Sequence, residues 1–201
     1  MKRFFDIVFA IVLLVILLIP MILIATAVKA SSVGNILYWS DRVGRDNIVF
    51  KMPKFRSMLT DTPAVATHLL DNPDAYLSPI GGFLRSTSLD ELPQLFSVLK
   101  GDMSFVGPRP ALYNQDDLIT LRAEKGVDKL LPGITGWAQV NGRNAISWKK
   151  KFEYDVWYVD NLCFKTDMLI YYKTFLKVIK SDGINQVGVE NAVAFNGDEN
   201  E

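Results

Sequence analysis

From Phe4 to Val28 the chain is apolar apart from Asp6 and Thr26. As one helix this stretch would run roughly 37 Å, long enough to cross a hydrocarbon core. It is too long for the apolar region of a cleaved leader, and no clean small-x-small cleavage site follows it. Residues 1–30 are therefore expected to stay attached as a membrane element. Pro20 lies two-thirds along and removes a backbone donor, which predicts a kink. Basic residues flank both ends, Lys2 and Arg3 before, Lys29, Arg42 and Arg45 after. Positive flanks mark the cytoplasmic side. A helix that enters and leaves by one face satisfies both flanks, and an ordinary spanning helix with a tolerated proline is the alternative. Asp6 follows Lys2 and Arg3 by four and three residues, a spacing that predicts ion pairing at headgroup level.

A second membrane-facing element is suggested at residues 167–180. Lys173, Lys177 and Lys180 share one helical face there, and Met168, Tyr171, Phe175 and Val178 lie opposite. Such a helix suits the interface, and it equally suits packing on a domain core.

Composition narrows the chemistry. The 201 residues allow one domain of ordinary size beside the membrane element. Basic and acidic residues both number 22, so no global field favours nucleic acid and any phosphate recognition must be local. Cys163 and His68 are the single cysteine and histidine, which excludes internal disulfides, thiolate zinc sites and histidine-cluster metals. A catalytic metal would have to use oxygen ligands, which favours Mg²⁺ or Mn²⁺.

The remainder reads as one compact α+β unit over residues 31–190, followed by an acidic tail, 191–201, of disordered composition. Short strands are expected at 36–39 and 48–50 around a turn at 42–47. Helices are expected at 89–100, ended by Gly101, at 111–125 and at 147–161. A proline-stiffened extended stretch covers 103–110, and 131–144 reads as a glycine-rich loop with short strands.

The densest chemistry lies in Ser88-Leu89-Asp90-Glu91-Leu92-Pro93. Ser88 and Glu91 fit a capping box, which would occupy Glu91 with a backbone amide and leave Asp90 as a first-turn acid. Cations crowd the same stretch: Arg85 just before it, Arg109 set between Pro108 and Pro110, and Lys54 and Arg56 in the Lys54–Met58 segment. Planar guanidinium forks suit phosphate oxygens. Neighbouring helical residues point about 100° apart. Asp90 and Glu91 therefore suit two tasks, one attacking phosphorus and the other holding Mg²⁺. Gln139, Asn141 and Arg143 follow in the glycine-punctuated loop and carry groups able to read bases and sugars.

Taken in order, Lys2–Asp6, Lys54–Met58, Leu84–Gln94, Ser104–Pro110, Pro132–Arg143, Tyr158–Asn161 and Asp167 resemble the bacterial sugar transferases, the small monotopic phosphoglycosyl transferases. The resemblance covers nearly the whole chain. It implies transfer of a sugar phosphate from a UDP-sugar to polyprenyl phosphate, with release of UMP. It implies Asp90 as nucleophile, Glu91 on Mg²⁺, and Arg85 and Arg109 on phosphate. It also implies a re-entrant helix, anchored through Lys2, Arg3, Asp6 and Pro20, on the cytoplasmic face of a bacterial inner membrane. The expected architecture is this helix plus a compact, mostly helical domain with interfacial amphipathic helices and short strands. One departure stands out: the break expected at Ser-Pro is Ile19-Pro20 here. A UDP-sugar phosphohydrolase and a noncatalytic scaffold are the competing classes.

Overall fold

The computed structural model describes residues 2–62, 72–142 and 146–180. The predicted acidic tail, His68 and Arg143 lie outside them. The first element, α1 (Lys2–Ser31), is helical throughout, including Pro20. The helix therefore runs on through Pro20 without a break. Packing on both sides of Pro20 supports it: Leu13, Leu14 and Leu17 rest on one apolar cluster, and Met21, Ile24, Ala25 and Val28 rest on a second. The opposite face, including Ile11, Val15, Ile19 and Leu23, stays exposed. By length and apolar composition α1 could cross a membrane.

A hairpin follows. Strand β1 (Leu37–Val43) pairs antiparallel with β2 (Val49–Phe55) from Leu37 opposite Phe55 to Val43 opposite Val49. The turn uses left-handed Asp46 and Asn47, residue types that tolerate that conformation. Pro53 is accommodated because β2 is an edge strand of the sheet. Two short helices come next, α2 (Gly81–Thr87) and α3 (Gln94–Lys100), the latter closed by left-handed Gly101 as the sequence predicted. Strand β3 (Ser104–Val106) leads to β4 (Ala111–Leu112), which adds antiparallel to β1. The predicted helix at 111–125 is corrected to α4 (Asp116–Glu124). Its first residues are held extended by β1, and the Leu112 N–H donates to the Gln115 side chain.

Strand β5 (Gly133–Thr135) runs parallel to β3, and α5 (Trp137–Val140) adds a helical turn where a loop was expected. The last described elements are α6 (Trp148–Asp160), whose Ser147 cap accepts from the Lys150 N–H, and α7 (Phe164–Lys180). Helix α7 packs one face on the core and leaves a second, apolar face exposed. Thr166, Asp167 and Ile170 are buried, while Phe164, Met168, Leu169, Tyr172, Phe175 and Val178 are exposed. Tyr171 belongs to the inner face, packed near Phe9 and Phe105. The Phe5 and Phe164 rings lie 6.3 Å apart, so the exposed faces of α1 and α7 meet.

The polar start of α1 is part of the domain. Asp6 was expected to pair with Lys2 and Arg3; instead it is buried and accepts from Ser104 Oγ (2.8 Å) and the Phe105 N–H (3.3 Å). Its carboxylate finds fixed donors there that satisfy both oxygens, and the two cations find other acceptors. Lys2 reaches Asp167 (2.7 Å), Tyr158 Oη (2.9 Å) and the Val106 carbonyl (2.9 Å). Arg3 donates to the Val98 and Leu99 carbonyls at the end of α3, where a cation is favoured. Burial, then Asp167, pushes the Tyr158 phenol well up, so it stays protonated and donates to Asp167 Oδ1. Replacing Asp167 with Ala removes the charged partner of Lys2 and the closest acceptor of Tyr158, leaving both to the Val106 carbonyl. The expected cost is about 2–3 kcal/mol, read as a drop in melting temperature of the detergent-solubilised protein.

Candidate active site

Asp90 and Glu91 sit on a 3-10 turn, Leu89–Glu91, between α2 and α3. The flanking Leu89 and Leu92 pack into the cluster of Val28, Phe55 and Leu84, joined by Met21, Ile24 and Ala25 of α1. The C-terminal half of α1 is thus the floor under the acidic pair. The capping box predicted from Ser88 and Glu91 does not form. Ser88 is left-handed (φ 57) and its side chain makes no cap hydrogen bond. Glu91 turns instead to two cations. Its Oε1 accepts from Lys54 Nζ (2.8 Å) and Arg109 Nη2 (2.7 Å). Two charge-assisted bonds in a largely buried setting outweigh one bond to a backbone amide.

Lys54 comes from β2, and Arg109 comes from the Gly107–Pro110 loop after β3. The loop is fixed by close backbone approach. The Gly107 N–H donates to Thr135 O and the Gly133 N–H to Pro108 O, both at 2.9 Å. A Cβ on Gly107 would stand 2.3 Å from the Leu131 carbonyl, and one on Gly133 would stand 2.2 Å from Gly107 N. Neither position has room for a side chain.

The electrostatics separate the two acids. Burial alone would raise Glu91, but Arg109 and then Lys54 hold its carboxyl well below the usual range. Asp90 is buried too, and among the described residues none donates a hydrogen bond to its carboxylate. Burial raises its carboxyl; Lys54, Arg85 and Arg109 offset part of that rise and the Glu91 charge adds to it. Glu91 is thus held as a fixed anion, whereas burial makes the charged form of Asp90 the costlier one. Burial lowers Lys54, with Glu91 opposing it.

Two further cations join the cluster. Arg42 of β1 donates to the Pro110 carbonyl (3.3 Å), and burial followed by Arg109 brings it down to about 10. Lys151 of α6 is lowered by burial and by Arg109. Sequence reasoning used Arg42 only as a membrane flank and gave Lys151 no role. The alternation of β1, which puts Ser40 and Arg42 on one face, was the available signal for Arg42.

Other predicted site residues are placed differently. Arg85, in the last turn of α2, acts electrostatically on Asp90. Arg56 is buried and committed to Ser32 and the Val33 carbonyl, where it closes the loop after α1. Asn141 donates to the Trp137 carbonyl and accepts from Lys173, whose ammonium lies 4.5 Å from the Trp137 ring centroid. Trp137 also stacks on Trp157 at 4.1 Å. Arg56 and Asn141 therefore have structural partners of their own. The Gln139 amide is buried, and neither of its polar atoms has a partner among the described residues.

Among the described residues no three His, Cys, Asp or Glu side chains form a metal cluster. Mg²⁺ does not require one, since it commonly takes one or two carboxylates with phosphate oxygens and water. Glu91 Oε2, which takes no part in the two ion pairs, and the Asp90 carboxylate are oxygen donors of that kind.

Comparison with known proteins agrees over the whole of this architecture. The family model for bacterial sugar transferases matches residues 1–181. The uncharacterized sugar transferase EpsL of Bacillus subtilis is 44% identical over 200 residues, covering 98% of this chain and 96% of that protein. The undecaprenyl-phosphate galactose phosphotransferase of Salmonella typhimurium is 39% identical over 201 residues, 91% of this chain but 41% of the relative. The UDP-glucose:undecaprenyl-phosphate glucose-1-phosphate transferase of Escherichia coli is 38% identical over 185 residues, 88% of this chain and 40% of that protein. The chain thus spans about two-fifths of these longer relatives and nearly all of EpsL. From the start of α1 to the end of α7, the chain belongs to the bacterial sugar transferase family.

Proposed function

We propose that this protein transfers a sugar-1-phosphate from a UDP-sugar to polyprenyl phosphate, giving a polyprenyl-diphosphate-sugar and UMP. The observation that carries the reading is the unequal pair. Glu91 is bound by Lys54 and Arg109, while Asp90 beside it is buried and accepts no hydrogen bond from the described residues. A desolvated carboxylate among cations is a nucleophile set where a diphosphate would bind. The family names of the longer relatives, which act on undecaprenyl phosphate, support the substrate class.

In the first half-reaction an Asp90 carboxylate oxygen bonds to the β-phosphorus of the UDP-sugar. The bond from that phosphorus to the bridging oxygen breaks, and UMP departs with the oxygen. In the second, an oxygen of polyprenyl phosphate attacks the same phosphorus. The aspartyl oxygen–phosphorus bond breaks, which releases the lipid product and restores the carboxylate. Arg109, Arg85 and Lys54 hold phosphate oxygens and offset the charge that grows on the leaving UMP. Mg²⁺ bound through Glu91 Oε2 would add Lewis-acid charge on the diphosphate.

The membrane placement follows from α1. Its first turns (Asp6, Ala10) and its last (Val28) are all buried against one domain. A domain lies on one side of a bilayer, so both ends of the helix belong to that side. This supports a monotopic, re-entrant seat on the cytoplasmic face, with the exposed faces of α1 and α7 in lipid.

Intact-mass measurement tests the mechanism. Incubating the enzyme with Mg²⁺ and members of a UDP-sugar panel, without lipid acceptor, is expected to give one phosphosugar adduct and one equivalent of UMP with the true donor. Continuous UMP release without polyprenyl phosphate would mean a hydrolase. No burst, with turnover only when both substrates are present, would mean direct transfer.

A further inference from the structure

The loop that carries Arg109 is held at three successive carbonyls. Pro108 O accepts from the Gly133 N–H (2.9 Å), Arg109 O from Arg122 Nη1 (2.9 Å), and Pro110 O from Arg42 Nη1 (3.3 Å). The sequence itself removes two amides here, since Pro108 and Pro110 have no N–H to anchor the loop from the donor side. Its conformation therefore depends on groups that donate to its carbonyls. Two of the three donors are arginine side chains from other elements.

Arg122 is the more strongly committed of the two. It projects from α4, and its other terminal nitrogen meets Asp155 Oδ2 of α6 at 2.5 Å. The pair is almost solvent-free, with side-chain exposures of 13% for Arg122 and 3% for Asp155. Burial raises the Asp155 carboxyl, and Arg122 is the main opposing influence. A buried ion pair is weak as a source of stability, because desolvation consumes much of the attraction. What it supplies well is direction: a planar fork held by a carboxylate at one nitrogen can aim the other at a single acceptor. That acceptor is the backbone of the residue whose guanidinium bonds Glu91.

The geometry points to Arg122 and Asp155 as positioning residues for the transfer, acting through the Arg109 backbone to set the Arg109 guanidinium between Glu91 and the substrate phosphate. Neither residue reaches Glu91. The inference rests on the proposed function, since it presumes that Arg109 binds substrate phosphate. Lysine in place of Arg122 keeps the charge but has no fork to span Asp155 and the Arg109 carbonyl together. Asparagine in place of Asp155 keeps the shape and removes the charge that aims Arg122.

The experiment is a double-mutant cycle on the full-length enzyme, measuring UMP release with undecaprenyl phosphate and the donor that the wild type uses best. Melting curves are recorded for every variant. Arg122→Lys and Asp155→Asn are each expected to lower kcat by about ten- to a hundredfold, the cost of misplacing a binding group by about 1 Å. In the Arg109→Lys background the same changes are expected to have almost no further effect on kcat, because the group they aim is gone. An equal fold-loss in that background, or full kcat in both single variants, overturns the inference. If Arg122→Lys does not fold, Asp155→Asn alone carries the cycle. Wild-type kcat in Arg109→Lys itself would instead count against the proposed function.

Discussion

Asp90→Asn is expected to abolish transfer while leaving the protein as stable as before, or slightly more so. An amide cannot attack phosphorus, and loss of a covalent nucleophile costs about 10⁴-fold or more in kcat. The stability half follows from the direction of the shift. Burial raises the Asp90 carboxyl above its unfolded value. Its ionisation therefore costs folding free energy at neutral pH, and that cost is relieved as pH falls through the raised folded value. Asn removes the charge and with it the cost. The same shift sets the pH profile. Activity should need ionised Asp90 and fall on the acid side at a pH above the usual aspartate range. The measurements are UMP release, adduct mass and melting temperature on one preparation. An active Asp90→Asn would remove the covalent mechanism.

Glu91→Gln should behave oppositely in stability. Glu91 is the shared acceptor of Lys54 and Arg109, and losing its charge takes from buried Lys54 its hydrogen-bonded counterion, with only the unbonded Asp90 carboxylate nearby. Breaking a buried pair from one side costs about 3–5 kcal/mol. The lower end, about 3 kcal/mol, is expected here because Arg109 is partly open to solvent, with 43% of its side chain exposed. The folded carboxyl lies well below its unfolded value. Its stabilisation is therefore complete above the ordinary glutamate range and is lost as pH falls through the depressed value. Activity should fall as well, since Arg109 and Lys54 lose the group that spaces them. The contrast between neighbours is the diagnostic result: Asp90→Asn inactive at full stability, Glu91→Gln inactive and less stable. Thermal melts at pH 7 and pH 4 separate them, and the gap between Glu91→Gln and wild type should narrow at the lower pH.

Much of this was legible in the chain. The acidic pair, Lys54 and Arg109 were identifiable because charged residues concentrated beside prolines and glycines are unusual, and the structure brings these four together. The hairpin, α3 with its glycine stop, and the serine-capped α6 follow local rules that tertiary packing did not overturn. Local rules failed where a distant partner offered more. Glu91 left its capping box for two cations. Asp6 passed over Lys2 and Arg3 for donors on β3, and residues 111–112 gave up helix for a place beside β1. Arg56 looked like Lys54 two residues earlier, but it sits at the end of the strand, where it closes the loop after α1. Arg122 and Asp155 were invisible as site residues, and Arg42 carried only the alternation of its strand as a signal. Their part depends on long-range register and on contacts between α4 and α6, which no spacing rule encodes.

The first two turns of α1 answer to two solvents at once. One side leaves Phe4, Phe5 and Val8 exposed, which in the proposed seat meets lipid; the other buries Asp6 among donors of the strand that runs into the Arg109 loop. Residues that a hydropathy scale would score as defects in an anchor are here the joints that complete a strand. A chain with Leu at position 6 would enter the bilayer more readily, yet it would leave the Ser104 and Phe105 donors without an acceptor. In the proposed membrane seat, anchoring and completing the domain are therefore one folding event, and the anchor is not interchangeable with another of equal hydrophobicity.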